Sequence, residues 1–216
     1  MKFVRGKNLK LVGKKSIFID QDVIIGNNVT IFENNRIEKG TIIGDNVTLL
    51  PNNHIIASVI KDNVIIESSH IAESIIHSNV NVGPFARLRP NSEIFENAKI
   101  GNFVEIKNSK IGEGTKVSHL AYVGDADIGK NCNIGCGAIF VNYNGKTKNR
   151  TIVGDDCFIG SNCNIIAPVE IRKGSYICAG TTNTINTNEY DFVIGRSRET
   201  VKPERAKNYM KQKENK

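Results

Sequence analysis

Two cations near the middle of the sequence, Arg89 and Lys107, each follow an aliphatic residue of a six-residue pattern, and three repeats of that pattern separate them. In a fold whose coil contains three such repeats, these side chains would lie directly over each other. Like charges at that spacing repel, so the pair is favourable where an anion such as a phosphate bridges them. The alternative is that both long side chains extend separately into water. The spacing predicts a phosphate-binding site.

His119 is the histidine nearest to this cation pair in the same arrangement, outward at a turn and one coil away from Cys136. An imidazole titrates near neutral pH and can accept a proton from a reacting group. A lone outward histidine is more often inert, but the neighbouring cations favour a catalytic base. Arg87, Glu105 and Tyr122 form a further column, in which Glu105 can orient its neighbours.

The segment AIFVNYNGKTKNR interrupts the aliphatic pattern between Ile134 and Val153. Its polar part, NYNGKTK, contains a glycine and predicts a projecting loop. Loops on repetitive scaffolds commonly carry function, although a neutral surface insertion is the alternative.

The pattern itself is an aliphatic residue at every sixth position, with occasional slips, from Ile25 to Ile177. A small or β-branched residue follows most of these four positions later. Such a unit cannot bury its apolar side alone, so the units must stack into a solenoid. The 31 Ile and 17 Val against 6 Leu also favour strands and exclude a helical bundle.

This repeat resembles that of the hexapeptide-repeat transferases. The resemblance implies an all-β fold, a left-handed parallel β-helix with three flat faces and one hexapeptide per face in each coil. Its handedness comes from the resemblance, because ordinary parallel crossovers are right-handed. We expect a basic lead-in over residues 1–15, the β-helix over 16–195 with one projecting loop, and a short basic tail over 196–216.

The coil arrangement predicts packing roles for several residues that could otherwise suggest chemistry. Those expected at the small inward position include Cys132, Cys157, Cys163, Asn35, Asn53 and His70. The cysteines are predicted to be packing groups, and the three polar residues to form an internal ladder. His54 and His77 are predicted to be solvated turn residues. An inward His70 argues against a zinc site of three outward histidines.

The net charge of +7 lies at the two ends of the chain. Residues 1–19 carry +6 and residues 196–216 carry +5, whereas residues 20–195 carry 15 bases and 19 acids, a net −4. A nucleic-acid-binding face needs its cations on the folded body, so we expect no nucleic-acid partner. No apolar run approaches the roughly 20 residues of a membrane span. Five Cys without paired close spacing favour the reducing cytoplasm.

A closer resemblance is carried by blocks between residues 82 and 198. They are VGPFARLRP (82–90), IGNFVEIKNSKIGEG (100–114), SHLAYVGDADIG (118–129), NIGCGAIFVNYNGKTK (133–148), VGDDCFIGSNCNIIAPV (153–169), AGTT (179–182) and IGR (194–196). These blocks are similar to the acetyltransferase domain of the bifunctional uridyltransferase and glucosamine-1-phosphate N-acetyltransferase family. Before residue 82 the likeness is only the general repeat.

The resemblance implies an acetyltransferase that moves an acetyl group from acetyl-CoA, its co-substrate, to the amine of glucosamine 1-phosphate. The product, N-acetylglucosamine 1-phosphate, leads to UDP-N-acetylglucosamine and cell-wall precursors. The family is cytoplasmic and homotrimeric, with sites shared between chains, and no metal is implied for this step.

The resemblance also implies roles for individual residues. His119 resembles the general base, and Glu105 a group that helps to orient it. The residues that match sugar-phosphate ligands are Arg89, Lys107, Tyr122 and Asn133, with Lys148 as a further phosphate contact. The residues that match acetyl-CoA contacts are Cys136, Asn142, Tyr143, Ser161, Ala179 and Arg196. Cys136 replaces an alanine of the family motif and could crowd the thioester, and Asn144 replaces an aspartate.

Three alternatives to this interpretation stay open. The family's nucleotidyltransferase half has no counterpart in these residues, so the chain is either a stand-alone acetyltransferase or an excised half. Another hexapeptide acyltransferase with a different amine or hydroxyl acceptor is the rival enzyme. A non-enzymatic trimeric scaffold is disfavoured, because it would need only the inward residues and not the polar set.

Overall fold

The structure, a computed structural model, describes residues 4–210. It is a parallel β-helix of short strands separated by tight corners. Each strand pairs in parallel with strands one coil before and after it, from Val4↔Ile24 at one end to Ile177↔Val193 at the other. The predicted left-handed parallel β-helix is confirmed.

The strands, numbered in chain order, are as follows. The first fifteen are β1 (Val4–Arg5), β2 (Lys10–Leu11), β3 (Phe18–Ile19), β4 (Ile24–Ile25), β5 (Thr30–Ile31), β6 (Arg36–Ile37), β7 (Ile42–Ile43), β8 (Thr48–Leu49), β9 (His54–Ile56), β10 (Val59–Ile60), β11 (Ile65–Ile66), β12 (His70–Ala72), β13 (Ser74–Ile76), β14 (Asn81–Val82) and β15 (Arg87–Leu88). The others are β16 (Ser92–Ile94), β17 (Lys99–Lys107), β18 (Lys110–Ile111), β19 (Lys116–Gly124), β20 (Ala126–Ile128), β21 (Asn133–Ile134), β22 (Ile139–Val141), β23 (Thr151–Val153), β24 (Phe158–Ile159), β25 (Asn164–Ile166), β26 (Val169–Ile171), β27 (Tyr176–Ile177), β28 (Thr182–Asn183) and β29 (Phe192–Val193). A 3-10 helix spans Lys14–Ser16, and helix α1 spans Ala206–Met210.

The strands form three faces. The first face stacks β1, β4, β7, β10, β13, β16, β18, β20, β23 and β26. The second face runs from β2 through β5, β8, β11 and β14 to β29, and the third runs from β3 through β6, β9, β12 and β15 to β28. The long strands β17 and β19 turn the corner between the second and third faces without a break in pairing. Two successive coils of backbone are therefore held rigidly at that corner.

The interior is the stack of aliphatic residues that the six-residue pattern predicts. Every member of the predicted series from Ile25 to Ile177 is buried, as are Cys132, Cys157 and Cys163 at the small inward position. Burying one such side chain contributes about 1.5–3 kcal/mol relative to leaving it exposed. Repeated coil after coil, this burial offsets the entropy lost in ordering so many corners.

The predicted inward ladder is correct for its two asparagines and wrong for His70. Asn53 Nδ2 donates to Asn35 Oδ1 at 2.9 Å, and Asn53 Oδ1 accepts from the Ser69 backbone N–H at 2.9 Å. Ser69 therefore holds the inward position on the next coil. His70 points outward, and its ring lies 4.9 Å from that of His54. The reason is a shortened coil, because the register pairs His54 with His70 and leaves less than three full repeats between them.

The outward His70 removes the sequence argument against a zinc site of three outward histidines. His70 lies in one column between His54 and Arg87, and Arg36 lies beyond His54. Burial, His54 and Arg87 all lower the pKa of His70, which keeps its ring neutral near pH 7. Within residues 4–210, no three His, Cys, Asp or Glu side chains come close enough to hold a metal ion.

The N-terminal end of the β-helix differs from the predicted boundary. Strands β1 and β2 pair with β4 and β5, so regular coils begin inside the predicted lead-in. At the other end, α1 lies in the predicted basic tail, whose residues 211–216, like residues 1–3 of the lead-in, fall outside the described part of the chain. No helix in the described range is long and apolar enough to span a membrane.

Each corner contains a column of residues with left-handed backbone. The first corner, between the first and second faces, holds Asn28, Asn46, Asn63 and Asn79, with φ between 54° and 62°. Asparagine tolerates this conformation better than most residues. Each side chain in the column also donates to the next, at 3.1 Å for the Asn28, Asn46 and Asn63 donors. The high asparagine content therefore serves the corners.

Candidate active site

A cation-lined cavity of about 520 Å³ lies at the third corner, between the third and first faces. It is lined by Arg89, Pro90, Asn91, Lys107, Asn108, Asp125, Lys148, Asn149 and Arg150. Four of these residues are cations and one is a carboxylate. The cavity therefore favours an anionic ligand.

The two predicted phosphate ligands reach this cavity from successive rungs of the third face. The Arg89 backbone N–H donates to Ile106 O at 2.8 Å, which sets Arg89 beside Lys107 as predicted. Neither cation is unpaired, however. Arg89 Nη1 donates to Glu105 Oε1 at 2.9 Å, and Lys107 Nζ donates to Asp125 Oδ2 at 3.0 Å. The stacked cations are thus partly neutralised before any ligand binds.

The predicted projecting loop is confirmed, and it covers one side of the cavity. The chain leaves the ladder after β22 and rejoins it at β23, where Ile152 pairs with Asp127 of the coil below. Tyr143 and Lys148 form an antiparallel bridge within the loop. The Arg150 guanidinium donates two hydrogen bonds to the Asp127 carboxylate. These bonds lower the pKa of Asp127, although burial acts to raise it. This anchor brings Lys148 to the cavity.

His119 lies on a different corner from the cations. It is exposed within β19 at the second corner, between the second and third faces. About six residues of extended chain, roughly 20 Å, separate it from Asp125 at the cavity. The prediction that His119 lies beside the cation pair is therefore wrong for a single chain. The coil register was correct, but its consequence was overlooked: 12 residues, or two of the three faces of a coil, separate His119 from Lys107.

The hydrogen bonding of His119 defines its tautomer. His119 Nδ1 lies 2.6 Å from Asn102 Oδ1, one coil below. An amide oxygen can only accept, so Nδ1 carries the hydrogen and Nε2 presents a lone pair. Glu105, predicted to orient this ring, instead pairs with Arg89. The ring can therefore accept a proton at Nε2, and Asn102 fixes its orientation.

Residues predicted to contact acetyl-CoA continue the column above His119. The ladder pairs Val117 with Ile134, Ile134 with Ile159 and Ile159 with Ile177. Two residues further along each coil are His119, Cys136, Ser161 and Ala179. Arg196 Nη1 donates to Ala179 O at 2.8 Å, at the top of this column. Cys136 is the exposed one of the five cysteines, all of which lie in the described range.

Asn142 and Tyr143, the other two predicted acetyl-CoA contacts, are not in this column. They begin the projecting loop at the third corner, with the cations.

Glu105 and Tyr122 lie on the third face, between the His119 column and the cation-lined cavity, and they pair in register as predicted. They line a second, mostly apolar cavity of about 500 Å³ with Phe103, Leu120, Ala121, Gly137, Ile139 and Asn162. Asn133 lies on the second face, beside Lys116 and Phe158. One chain therefore does not bring all predicted residues together.

Two polar residues of this region were missed by sequence reasoning. Asn102 lies 17 residues before His119, and Asp125 lies 18 residues after Lys107. Both spacings equal one coil and could have shown which residues stack. They carry no information about rotamers, which decide the hydrogen bonds that actually form.

Comparisons with known proteins place the chain among hexapeptide-repeat proteins. The family model of the GMPPB C-terminal domain matches residues 70–144, and that of the hexapeptide repeat of succinyl-transferase matches residues 150–182. Among solved structures, UDP-N-acetylglucosamine acyltransferase from Arabidopsis has a TM-score of 0.54 and 17% identity, over 87% of this chain and 70% of that chain. LpxA, a UDP-N-acetylglucosamine acyltransferase from Bacteroides fragilis, has a TM-score of 0.54 and 16% identity, over 88% of this chain and 66% of that chain. At these identities the likeness concerns the fold.

Curated relatives are considerably closer in sequence. Bifunctional protein GlmU from Acetivibrio thermocellus is 48% identical over 192 residues, which are 89% of this chain and 42% of that protein. The protein of the same name from Clostridium novyi is 48% identical over 189 residues, covering 88% and 41%. The aligned 192 residues exceed the span 82–198, so the likeness extends into the N-terminal coils. The chain spans about two-fifths of the length of these relatives. Over the aligned residues it is homologous to part of the proteins named bifunctional GlmU, and residues 150–182 match the hexapeptide-repeat model.

Proposed function

We propose that the chain transfers an acetyl group from acetyl-CoA to the amine of glucosamine 1-phosphate, giving N-acetylglucosamine 1-phosphate for UDP-N-acetylglucosamine and cell-wall precursor synthesis in the cytoplasm. The observation that carries the proposal is the cation-lined cavity at the third corner. Its cations, Arg89, Lys107, Lys148 and Arg150, come from both the β-helix and the loop. A phosphate accepts charge-assisted hydrogen bonds from such groups. The similarity to proteins named GlmU supports the same acceptor.

The chemistry assigns a proton-transfer role to His119. The amine nitrogen attacks the thioester carbonyl carbon, which leaves a positively charged nitrogen in the tetrahedral intermediate. Loss of a proton from that nitrogen to His119 Nε2 makes collapse favourable, and the carbon–sulfur bond then breaks. The imidazolium can return the proton to the departing thiolate. Imidazole side chains commonly carry out such proton exchange in general acid–base catalysis.

The column above His119 is the proposed binding path for acetyl-CoA. Cys136, Ser161 and Ala179 present one residue per coil to the solvent side of this corner, and Arg196 provides a cation at its upper end. The Cys136 carbonyl already accepts the backbone N–H of Asn162 at 2.8 Å. In this proposal the main chain of Cys136, rather than its thiol, contacts the thioester.

We infer that the active unit is a homotrimer whose sites form between neighbouring chains. The third-corner cations and loop of one chain would meet the His119 column of the next. Phe85, Phe103 and Leu120 support this arrangement, since they form a ridge beside His119. Each is 57–59% exposed and has left-handed backbone, with φ of 59°, 58° and 38°. Such backbone costs about 1–3 kcal/mol for a bulky residue, which burial against a second chain would offset.

The ridge provides a test of the trimer. The double variant Phe103→Asn, Leu120→Asn should fold well, because asparagine suits left-handed backbone, yet it should dissociate and lose most of its activity. Sedimentation velocity and thiol release measure the two effects. Tyr190→Asn is the matched control, because Tyr190 is also exposed and left-handed but lies at the first corner. A double variant that stays trimeric, or a fully active wild-type monomer, would contradict the inference.

The acceptor is tested by release of the CoA thiol with glucosamine 1-phosphate, glucosamine and serine in competition. We expect glucosamine 1-phosphate to be used far better than glucosamine, because only the former carries the phosphate for which the cavity is built. Serine should be inert. Equal use of the two sugars would refute the phosphate site, and a preference for serine would favour a hydroxyl-acetylating relative.

A further inference from the structure

Asp125 connects the two structural parts of the cation-lined cavity. Its carboxylate accepts hydrogen bonds from Lys107 Nζ at 3.0 and 3.2 Å and from Asn108 Nδ2 at 2.6 Å. It also accepts a hydrogen bond from Asn142 Nδ2. Lys107 and Asn108 belong to the β-helix, whereas Asn142 is the first residue of the projecting loop. One side chain thus joins the strand that presents a cation to the loop that covers it.

The burial of Asp125 makes this connection rigid. The residue is only 5% exposed, and the Lys107 side chain is only 17% exposed. Burial acts to raise the pKa of Asp125, but the hydrogen bonds from Asn108, Lys107 and Asn142 outweigh it and lower the pKa below the ordinary value. The group is therefore an ionised carboxylate with three neighbouring donors. Removing its charge weakens its hold on all three donors at once.

The backbone of Asp125 belongs to the same connection. Asp125 has a left-handed backbone with φ of 49° and donates its N–H to Lys107 O at 3.0 Å. Its carbonyl accepts the N–H of Thr151 at 3.1 Å, where the chain returns from the loop. Both ends of the loop are therefore tied to this one residue, the first through its side chain and the second through its carbonyl.

We propose that Asp125 is a positioning residue that sets the sugar-phosphate cation Lys107 and the loop residue Asn142 in one fixed relation, so that acceptor and acetyl donor meet in the reactive geometry. This inference rests on the proposed function, in which Lys107 binds the phosphate and Asn142 contacts acetyl-CoA. Asp125 touches neither substrate, and it acts through the groups that it holds. Considered only as a charge, Asp125 would weaken phosphate binding, because a carboxylate beside a phosphate site repels the ligand.

Asp125→Asn separates the two effects of this carboxylate, which are repulsion of the phosphate and positioning of Lys107 and Asn142. The substitution keeps the side-chain shape and the tolerance for left-handed backbone, but it removes the negative charge. Inorganic phosphate, titrated calorimetrically, should bind at least as tightly as to the wild type. The kcat for glucosamine 1-phosphate should nevertheless fall about 100-fold, the effect of misplacing a reacting group by about 1 Å. Asp156→Asn, the same substitution at an exposed left-handed acid of the first corner, is the control and should leave kcat unchanged.

A second measurement does not depend on turnover. The Lys107 ammonium should give a slowly exchanging NMR signal in the wild type, because the buried Asp125 carboxylate immobilises it, and this signal should disappear in Asp125→Asn. Asn108→Gly is the alternative variant if Asp125→Asn folds poorly. It keeps the left-handed corner but removes one donor to Asp125, and it should also lower kcat. A kcat within about threefold of wild type in both variants, or an unchanged Lys107 signal in Asp125→Asn, overturns the inference. A wild type that fails to acetylate glucosamine 1-phosphate instead refutes the proposed function, and the NMR comparison still decides the role of Asp125.

Discussion

His119→Ala is expected to lower kcat by at least about 100-fold while leaving a folded oligomer that binds both substrates. The ring is exposed at a corner, so its removal creates no cavity in the aliphatic core. Its one described hydrogen bond, with Asn102, is also exposed and contributes little to stability. The expected decrease in kcat therefore results from impaired proton transfer and not from unfolding. Steady-state kinetics, with circular dichroism to monitor the fold, measures both parts of the prediction.

His54→Ala is the matched control for this variant. His54 is also an outward histidine at a strand of the β-helix, with a side chain 40% exposed, and it pairs with Glu38 far from the proposed site. Its replacement should leave kcat within about twofold of wild type. Near-normal turnover of His119→Ala would assign the base to another group, and loss of folding would assign His119 a structural role.

Lys107→Ala should raise the KM for glucosamine 1-phosphate about 10- to 100-fold, which corresponds to the free energy of one charge-assisted hydrogen bond. The KM for acetyl-CoA should change far less, because the proposed CoA column lies on another corner. The preference for glucosamine 1-phosphate over glucosamine should shrink by the same factor. Initial rates with each substrate varied in turn provide these values.

Lys99→Ala is the control for charge, since Lys99 is an exposed lysine of β17 on the second face. It should leave both KM values near wild type, and any general effect of reduced positive charge would appear in it as well. Equal changes of the two KM values in Lys107→Ala would show that the cation does not discriminate between the substrates.

The six-residue pattern was sufficient to predict most of the backbone. Each aliphatic residue in the series has one environment, the interior, and this periodic burial fixes both strand positions and coil register. The column of Arg87, Glu105 and Tyr122 was predicted correctly for this reason. Likewise, the interruption before Val153 could only be accommodated outside the ladder.

The pattern failed where a coil is shorter than the average. Between His54 and His70, two corners each lose a residue, and Ser58 and Ser69 take the inward positions predicted for Val59 and His70. Their hydroxyls donate to Ile56 O and Glu67 O, which closes the tighter turns. A serine two residues before the buried isoleucine, as in Ser58-Val59-Ile60 and Ser69-His70-Ile71, is the signal that sequence reasoning missed.

Side-chain partners were less predictable than the backbone. Spacing placed Glu105 within reach of several groups, and only the rotamers decide that it pairs with Arg89. Asn102 and Asp125 resemble the many other polar corner residues in composition, and nothing local distinguishes them. The division of the predicted site between two corners was overlooked although the spacing contains it, because the 12 residues from Lys107 to His119 correspond to two of the three faces of a coil.

The stacked coils also determine where thermal opening begins. Each coil touches only the coils next to it, so fraying starts at the two ends and must proceed rung by rung. Lys107, His119 and Asp125 lie in coils with several others on both sides, including the long paired strands β17 and β19. These groups are held in the part of the molecule that opens last, whereas Arg196, near the upper end, is exposed to the earliest openings.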